Sequence, residues 1–186
     1  MAIALSDITT KIRYLLGDIS TTTTDAFTYT SSNIFTLTED NAIAITTVFL
    51  NNSDLGASEV SFDSSTNKVT VSLTMISGDT VEVQYTYYPN YSDTLLEAYT
   101  RAALIHISTN NYKSFIEEAT YIFPEPNTRE QNLISLIAGL LIEPDNKTYR
   151  LPDLSMVVPK DLPTHSKISK FISIFKKDSH GVFDVL

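Results

Sequence analysis

Cysteine and tryptophan are both absent, and glycine occurs only five times. Without cysteine there is no disulfide framework, no thiol nucleophile and no thiolate-bound zinc or iron–sulfur centre. The glycines stand apart at 17, 56, 78, 139 and 181, so no glycine-rich phosphate loop exists. Positive charge is scarce: 13 Lys and Arg face 22 Asp and Glu, a net charge of −9. Such a surface repels nucleic acid. Histidine is limited to His106, His165 and His180, with no pair four apart for a helical zinc site. No Gly-x-Ser-x-Gly elbow occurs. No run approaches the ~18 apolar residues of a membrane span; Leu133 to Ile142 reads as a core helix. The first residues show neither a basic stretch nor a cleavable apolar run, so no secretory signal is expected. The expectation is a protein without cofactor or metal, not an enzyme and not bound to a membrane.

What is present suits a globular chain: 186 residues, 42% hydrophobic and 19% charged, the length of one domain or of one domain with an insertion. Charge is uneven. Residues 1–95 carry three basic groups against eleven acidic, whereas residues 96–186 carry ten against eleven. The first half is rich in Thr, Ser, Val and Tyr, the second in Leu, Ile, Lys and Pro. This asymmetry suggests two structural layers with different neighbours.

Periodicity gives an order of elements. Ile8, Ile12, Leu15 and Leu16 form one helical stripe, with Ser6 as the expected cap and Gly17 as the stop. Ser20 to Asp25 reads as a Thr-rich linker. From Ala26 to Tyr88 the period changes to two. Val69, Val71 and Leu73 alternate with polar residues, as do Val81, Val83, Tyr85 and Tyr87. Ile43, Ile45 and Phe49 are assigned to one face of a further strand. Asn51 to Asp54, Asp63 to Asn67 and Ser77 to Asp79 are turn signals. A second helix follows from Ser92 or Asp93, with Leu95, Tyr99, Ala102 and Ile105–His106 at helical spacing. A shorter helical run is expected over Tyr112 to Ala119. Asn127 with Glu130 resembles a capping box for a helix over Thr128 to Ile142, which Pro144 stops. Tyr149 to Pro163, holding Pro152, Pro159 and Pro163, is expected to be an extended arm. Thr164 or Ser166 caps a last amphipathic helix with the stripe Ile168, Phe171, Ile172 and Phe175, and Lys167, Lys170, Lys176 and Lys177 elsewhere on it.

The predicted fold class is α+β: a small helical bundle with an inserted antiparallel β block, an extended C-terminal arm and a terminal helix. The expected domains are a helical core of 1–18 and 92–148, a β insertion of 26–88, and an arm with terminal helix of 149–186.

Few residues carry a chemical signal. His106 reads as a hydrogen-bonded structural histidine rather than a catalyst. Glu117–Glu118 reads as a solvated helix face, and Glu39–Asp40 as a turn. Tyr85, Tyr87, Tyr88 and Tyr91 have two readings: tyrosines covering the sheet, or an aromatic contact surface. A glycan or host-surface ligand stacking on them is the alternative function. The terminal stripe also has two readings, packing on its own core or docking on another subunit. On the second, Ile168, Phe171, Ile172, Phe175, Lys176, Lys177, Val182 and Phe183 are the candidate contacts.

The order of short helix, β insertion, packed helices, arm and terminal helix resembles the head-to-tail connector (adaptor, or head-completion) proteins of tailed bacteriophages. The segments most similar are Asp79-Thr-Val-Glu-Val-Gln-Tyr-Thr-Tyr-Tyr88 and Ser92-Asp-Thr-Leu-Leu-Glu-Ala-Tyr-Thr-Arg-Ala-Ala103. The resemblance implies a ring homo-oligomer in the virion neck, commonly of twelve subunits, assembled in the host cytoplasm. It implies the portal protein and a downstream neck or tail protein as partners, with C-terminal segments on the portal. Genomic DNA would pass through without specific binding. The β block is an elaboration that many short adaptors lack.

Overall fold

The computed structural model describes residues 3–145, 148–151, 154–157 and 161–177. The chain opens with β1 (Ile3–Ala4) and α1 (Leu5–Leu16). Seven strands follow: β2 (Thr21–Thr28), β3 (Ile34–Thr36), β4 (Ala42–Leu50), β5 (Ser53–Asp54), β6 (Val60–Asp63), β7 (Lys68–Val71) and β8 (Thr80–Tyr87). Then come α2 (Asp93–Thr109), β9 (Ile116–Glu118), β10 (Tyr121–Phe123) and α3 (Thr128–Ile142). The last elements are β11 (Thr148–Leu151), β12 (Leu154–Val157) and α4 (Thr164–Lys177). Helices with antiparallel sheets make the chain α+β, the class read from the sequence. It divides into two compact units, one of residues 1–17 with 93–186, the other of 18–92.

In the helical unit, α1 is capped two residues earlier than expected. Ala4 is the N-cap, and its N–H donates to the Asp7 carboxylate at 3.0 Å. Ser6 instead lies inside the first turn, where its carbonyl accepts from the hydroxyls of Thr9 and Thr10. Gly17 ends the helix at φ 70°, the left-handed conformation that glycine adopts without penalty. Leu5, Ile8, Ile12 and Leu15 are buried, and α1 packs on α2 and α3. Gly139 of α3 makes the approach possible, because a Cβ there would run into the Leu15 side chain. The Asn127 side chain accepts from the Glu130 N–H at 2.9 Å, and Glu130 accepts from the Asn127 N–H at 2.9 Å, a full capping box for α3.

Tyr112 to Ala119 is not a helix. Ile116–Glu118 and Tyr121–Phe123 pair as a hairpin, and Ile3 and Ala4 add alongside β10. Ala119 and Thr120 make the turn with φ of 49° and 70°. Ile122 is buried between the outward Tyr121 and Phe123, so the period here is two. The arm also differs from expectation. β11 pairs with β12 in an antiparallel hairpin, and Pro152 and Pro159 lie outside the described residues. Tyr149 is wholly buried, and its hydroxyl donates to the Glu143 carbonyl at 2.8 Å. That residue is core, not a surface arm.

The other unit packs two antiparallel sheets, β2-β8-β4-β5 and β3-β7-β6, around one core. Phe35, Val69 and Val71 come from one sheet, and Val48, Val81, Val83 and Tyr85 from the other. Ser20 to Asp25 is no linker. Thr21–Thr28 pairs with β8 over its whole length, Thr21 opposite Tyr87 and Thr28 opposite Thr80. Threonine is β-branched and suits such a strand. In β4 the assigned face is also corrected. Register shifts between Ala42 and Ala44 and between Ile45 and Thr47 each insert one residue. The positions opposite core-facing Tyr87, Tyr85, Val83 and Val81 are therefore Ala42, Ile45, Val48 and Leu50. Ile43 is exposed. At the unit's two ends, the buried Asp18 carboxylate accepts from the Asn90 N–H at 3.2 Å.

Candidate functional site

The tyrosine cluster does not form one surface. Strand alternation turns Tyr85 into the sandwich core, where it is wholly buried. Its hydroxyl donates to Asp25 Oδ2 and accepts from the Glu39 N–H, both at 3.0 Å. Burial, with the Asp25 charge adding, pushes the phenol up to about 12. Tyr87 is half-buried with its ring 6.2 Å from that of Tyr85. Tyr88 and Tyr91 are half-buried, and the Tyr88 carbonyl accepts from the Asn41 side chain. Tyr85 is thus a core residue and not a contact residue.

The terminal stripe is likewise core. Ile168, Phe171, Ile172 and Phe175 are between 1% and 4% exposed, and α4 packs on α3 of its own chain. Phe171 meets the Tyr149 ring edge-on at 6.2 Å, and the Arg129 guanidinium lies 5.2 Å over Phe175. An apolar stripe of this width takes the nearest apolar face, and α3, nearly all apolar in its second half, supplies it within the chain. Lys167 is not on a wet face either: it is buried, and its Nζ donates to the Pro144 carbonyl at 2.6 Å. Lys176 is exposed and donates to the Asn110 carbonyl at 2.7 Å. Lys177 ends α4, and Val182 and Phe183 lie outside the described residues.

The charged groups of the helical unit are arranged in pairs. Arg13 Nη2 reaches Asp93 Oδ1 at 2.7 Å, joining the end of α1 to the start of α2. Lys113 Nζ donates to both Glu130 oxygens, at 2.7 and 2.8 Å. Glu117 stands on β9 rather than on a helix, and Arg101 donates to it through Nε at 2.6 Å and Nη2 at 2.9 Å. Glu97 also accepts from Arg101 at 3.1 Å. The guanidinium holds the Glu117 carboxyl below its ordinary range. In the sandwich, Asp63 accepts from the Ser65 hydroxyl and N–H and from the Thr66 hydroxyl, which lowers it to about 2. Half-buried His106 gives its carbonyl to Asn110 and Thr109. Among the described residues, no three His, Cys, Asp or Glu side chains are grouped to hold a metal. No described helix is long and apolar enough to cross a membrane.

One surface was missed. The spacing noted on α2 includes residues that point outward: Leu95 is 41% and Ile105 64% exposed, with Ala98 exposed between them. Leu96, Thr100, Ala103, Leu104 and Ile107 form the buried face instead. Both sets have helical spacing, so periodicity alone could not choose between them. On the sheet formed by β1, β10 and β9, Ile116, Tyr121 and Phe123 are also exposed. These residues give the helical unit apolar outer surfaces on a helix and on a sheet.

A scan of protein-family models and a search of curated proteins found no match to this chain.

Proposed function

We propose that this chain is a structural protein of the tailed-bacteriophage neck, forming a ring that joins the portal to the next neck or tail component and extends the DNA channel. The observation that carries this reading is the apolar outer surface of the helical unit: Leu95 and Ile105 on α2, and Ile116, Tyr121 and Phe123 on the small sheet. Large apolar and aromatic side chains left outside a closed core favour contact with another protein. The order of elements supports the same reading, since a helical unit is interrupted after α1 by a β unit and resumes at α2. The sandwich adds one basic and nine acidic groups, a wall that would not grip passing phosphates. The contact with neighbours moves accordingly, from the buried α4 stripe to α2 and the sheet. Burial of Tyr85 removes the centre of the aromatic platform on which a glycan reading depended.

The test is light scattering and negative-stain microscopy of the purified chain, alone and mixed with portal rings from the same genome. A ring of many 20.7 kDa subunits on the portal is the expected result, lost in Ile105→Asp without loss of the melting transition. A wild-type chain that stays monomeric with portal present contradicts the reading.

A further inference from the structure

We infer that the outer edge of β2 is a docking site for an extended strand of another polypeptide that carries basic side chains. The four-stranded sheet ends in β2 on one side and β5 on the other. Of these, β5 has two residues and β2 has eight. The direction of the β2 backbone follows from bonds at its end. The Tyr29 N–H donates to the Asp79 carbonyl at 2.8 Å, and the Gly78 N–H to the Tyr29 carbonyl at 3.0 Å. Odd-numbered residues therefore face β8. On β8, the Asn51 N–H donating to the Thr80 carbonyl at 2.9 Å turns the even-numbered residues toward β4, which agrees. Alternation then aims the N–H and C=O of Thr22, Thr24, Ala26 and Thr28 out of the sheet. Among the described residues, nothing bonds to those backbone groups.

Sheet edges are usually guarded by charge, proline, a bulge or shortness. β2 has no proline, and its register with β8 runs unbroken through eight pairs. Its one charge, Asp25, is turned inward to the Tyr85 hydroxyl at 3.0 Å and the Thr38 N–H at 2.7 Å. Four exposed small side chains, three Thr and one Ala, leave the approach clear. Such an edge suits strand addition.

Charge selects the occupant. The sandwich unit holds nine acidic groups and Lys68 alone as a base, so a second sandwich would be repelled. Glu82 stands opposite Ala26 on the outer face of the sheet, and no described cation lies within ion-pair reach of it. Strands are about 4.8 Å apart, so a Lys or Arg on an added strand beside Ala26 would cross only a methyl group to reach Glu82.

The inference stands apart from the ring reading, since its test reads peptide binding and not assembly. The probe is a capped, fluorescein-labelled peptide alternating threonine and valine, with a lysine near each end. A second version carries glutamate in place of lysine. The full chain should bind the lysine peptide saturably, at least tenfold more tightly than the glutamate peptide, and more weakly as salt rises. Ala26→Pro removes an N–H that the sheet does not use, so it should weaken binding at least tenfold while circular dichroism is kept. Should that variant misfold, Ala26→Lys keeps the backbone and should weaken the lysine peptide by charge alone. Equal binding of the two peptides, no binding of either, or full binding by both variants overturns the inference. Thr24→Cys chains that cross-link to one another in a native, otherwise cysteine-free background would also overturn it, by assigning the edge to a second copy.

Discussion

The helical unit carries twelve basic and thirteen acidic groups, the sandwich one and nine. They satisfy their carboxylates differently. In the helical unit Asp93, Glu117 and Glu130 each meet an Arg or Lys. In the sandwich Asp25, Asp63 and Asp79 meet hydroxyls, backbone N–H groups and an amide. Donors of the second kind fix a turn without cancelling its charge. The sandwich can therefore be well ordered locally and still present an uncompensated negative surface, whereas the helical unit is close to neutral and exposes apolar side chains. On the proposed reading, the helical unit serves contact with like copies and the sandwich contact with neutral or basic partners.

The largest break in this comparison should come from Phe171→Asp with Phe175→Asp. Truncating a buried Phe costs about 3–5 kcal/mol, and a charge in its place adds to that, so two exceed what most domains can lose. Helical circular dichroism should collapse while amide protection in β4 and β8 persists. Retained helicity would return α4 to a separable docking element.

Gly139→Ala should come next, weakening the helical unit by about 1–3 kcal/mol because the new methyl meets Leu15. Urea unfolding followed by the helical signal measures it; an unchanged midpoint would mean that α1 and α3 are not held as close as described.

In the sandwich, Tyr85→Phe should cost about 1–3 kcal/mol by leaving the Glu39 N–H without its acceptor. Folding raises this phenol from 10.0 to about 12, so it favours the protonated form. The contribution is whole below pH 10 and is lost as pH climbs from 10 to 12. Denaturation of wild type and variant across that range should show the gap closing as pH rises. A gap that widens reverses the sign of the argument.

The smallest effect belongs to Arg101→Gln, an exposed network worth about 0.2–1 kcal/mol. Its clearer readout is an NMR titration in which the Glu117 carboxyl rises toward the ordinary range. No movement there would deny the ion pair its role.

Much of the layout was legible in the sequence because its signals were local. Gly17 stopped α1, Asn127 with Glu130 capped α3, and alternation over Val81 to Tyr87 marked β8 and its core face. What stayed hidden depended on partners distant in sequence. Thr21–Thr28 looks like a polar linker until β8 lies beside it. The β4 bulges break the period of two, so strict alternation puts Ile43 on the same face as Ile45 when it is not. α2 is apolar on two faces, and only packing against α1 and α3 decides which is buried. The α4 stripe announced burial without saying against what, and α3 of the same chain answers. Ala119–Thr120 contains none of the usual turn residues, which concealed the β9–β10 hairpin.

Gold-labelled antibody against the sandwich, applied to phage particles from the same genome and viewed by electron microscopy, tests the central claim most directly. The account predicts label confined to the junction of head and tail. Label at the tail tip or fibres, or intact particles with none of this chain in their protein content, would contradict it.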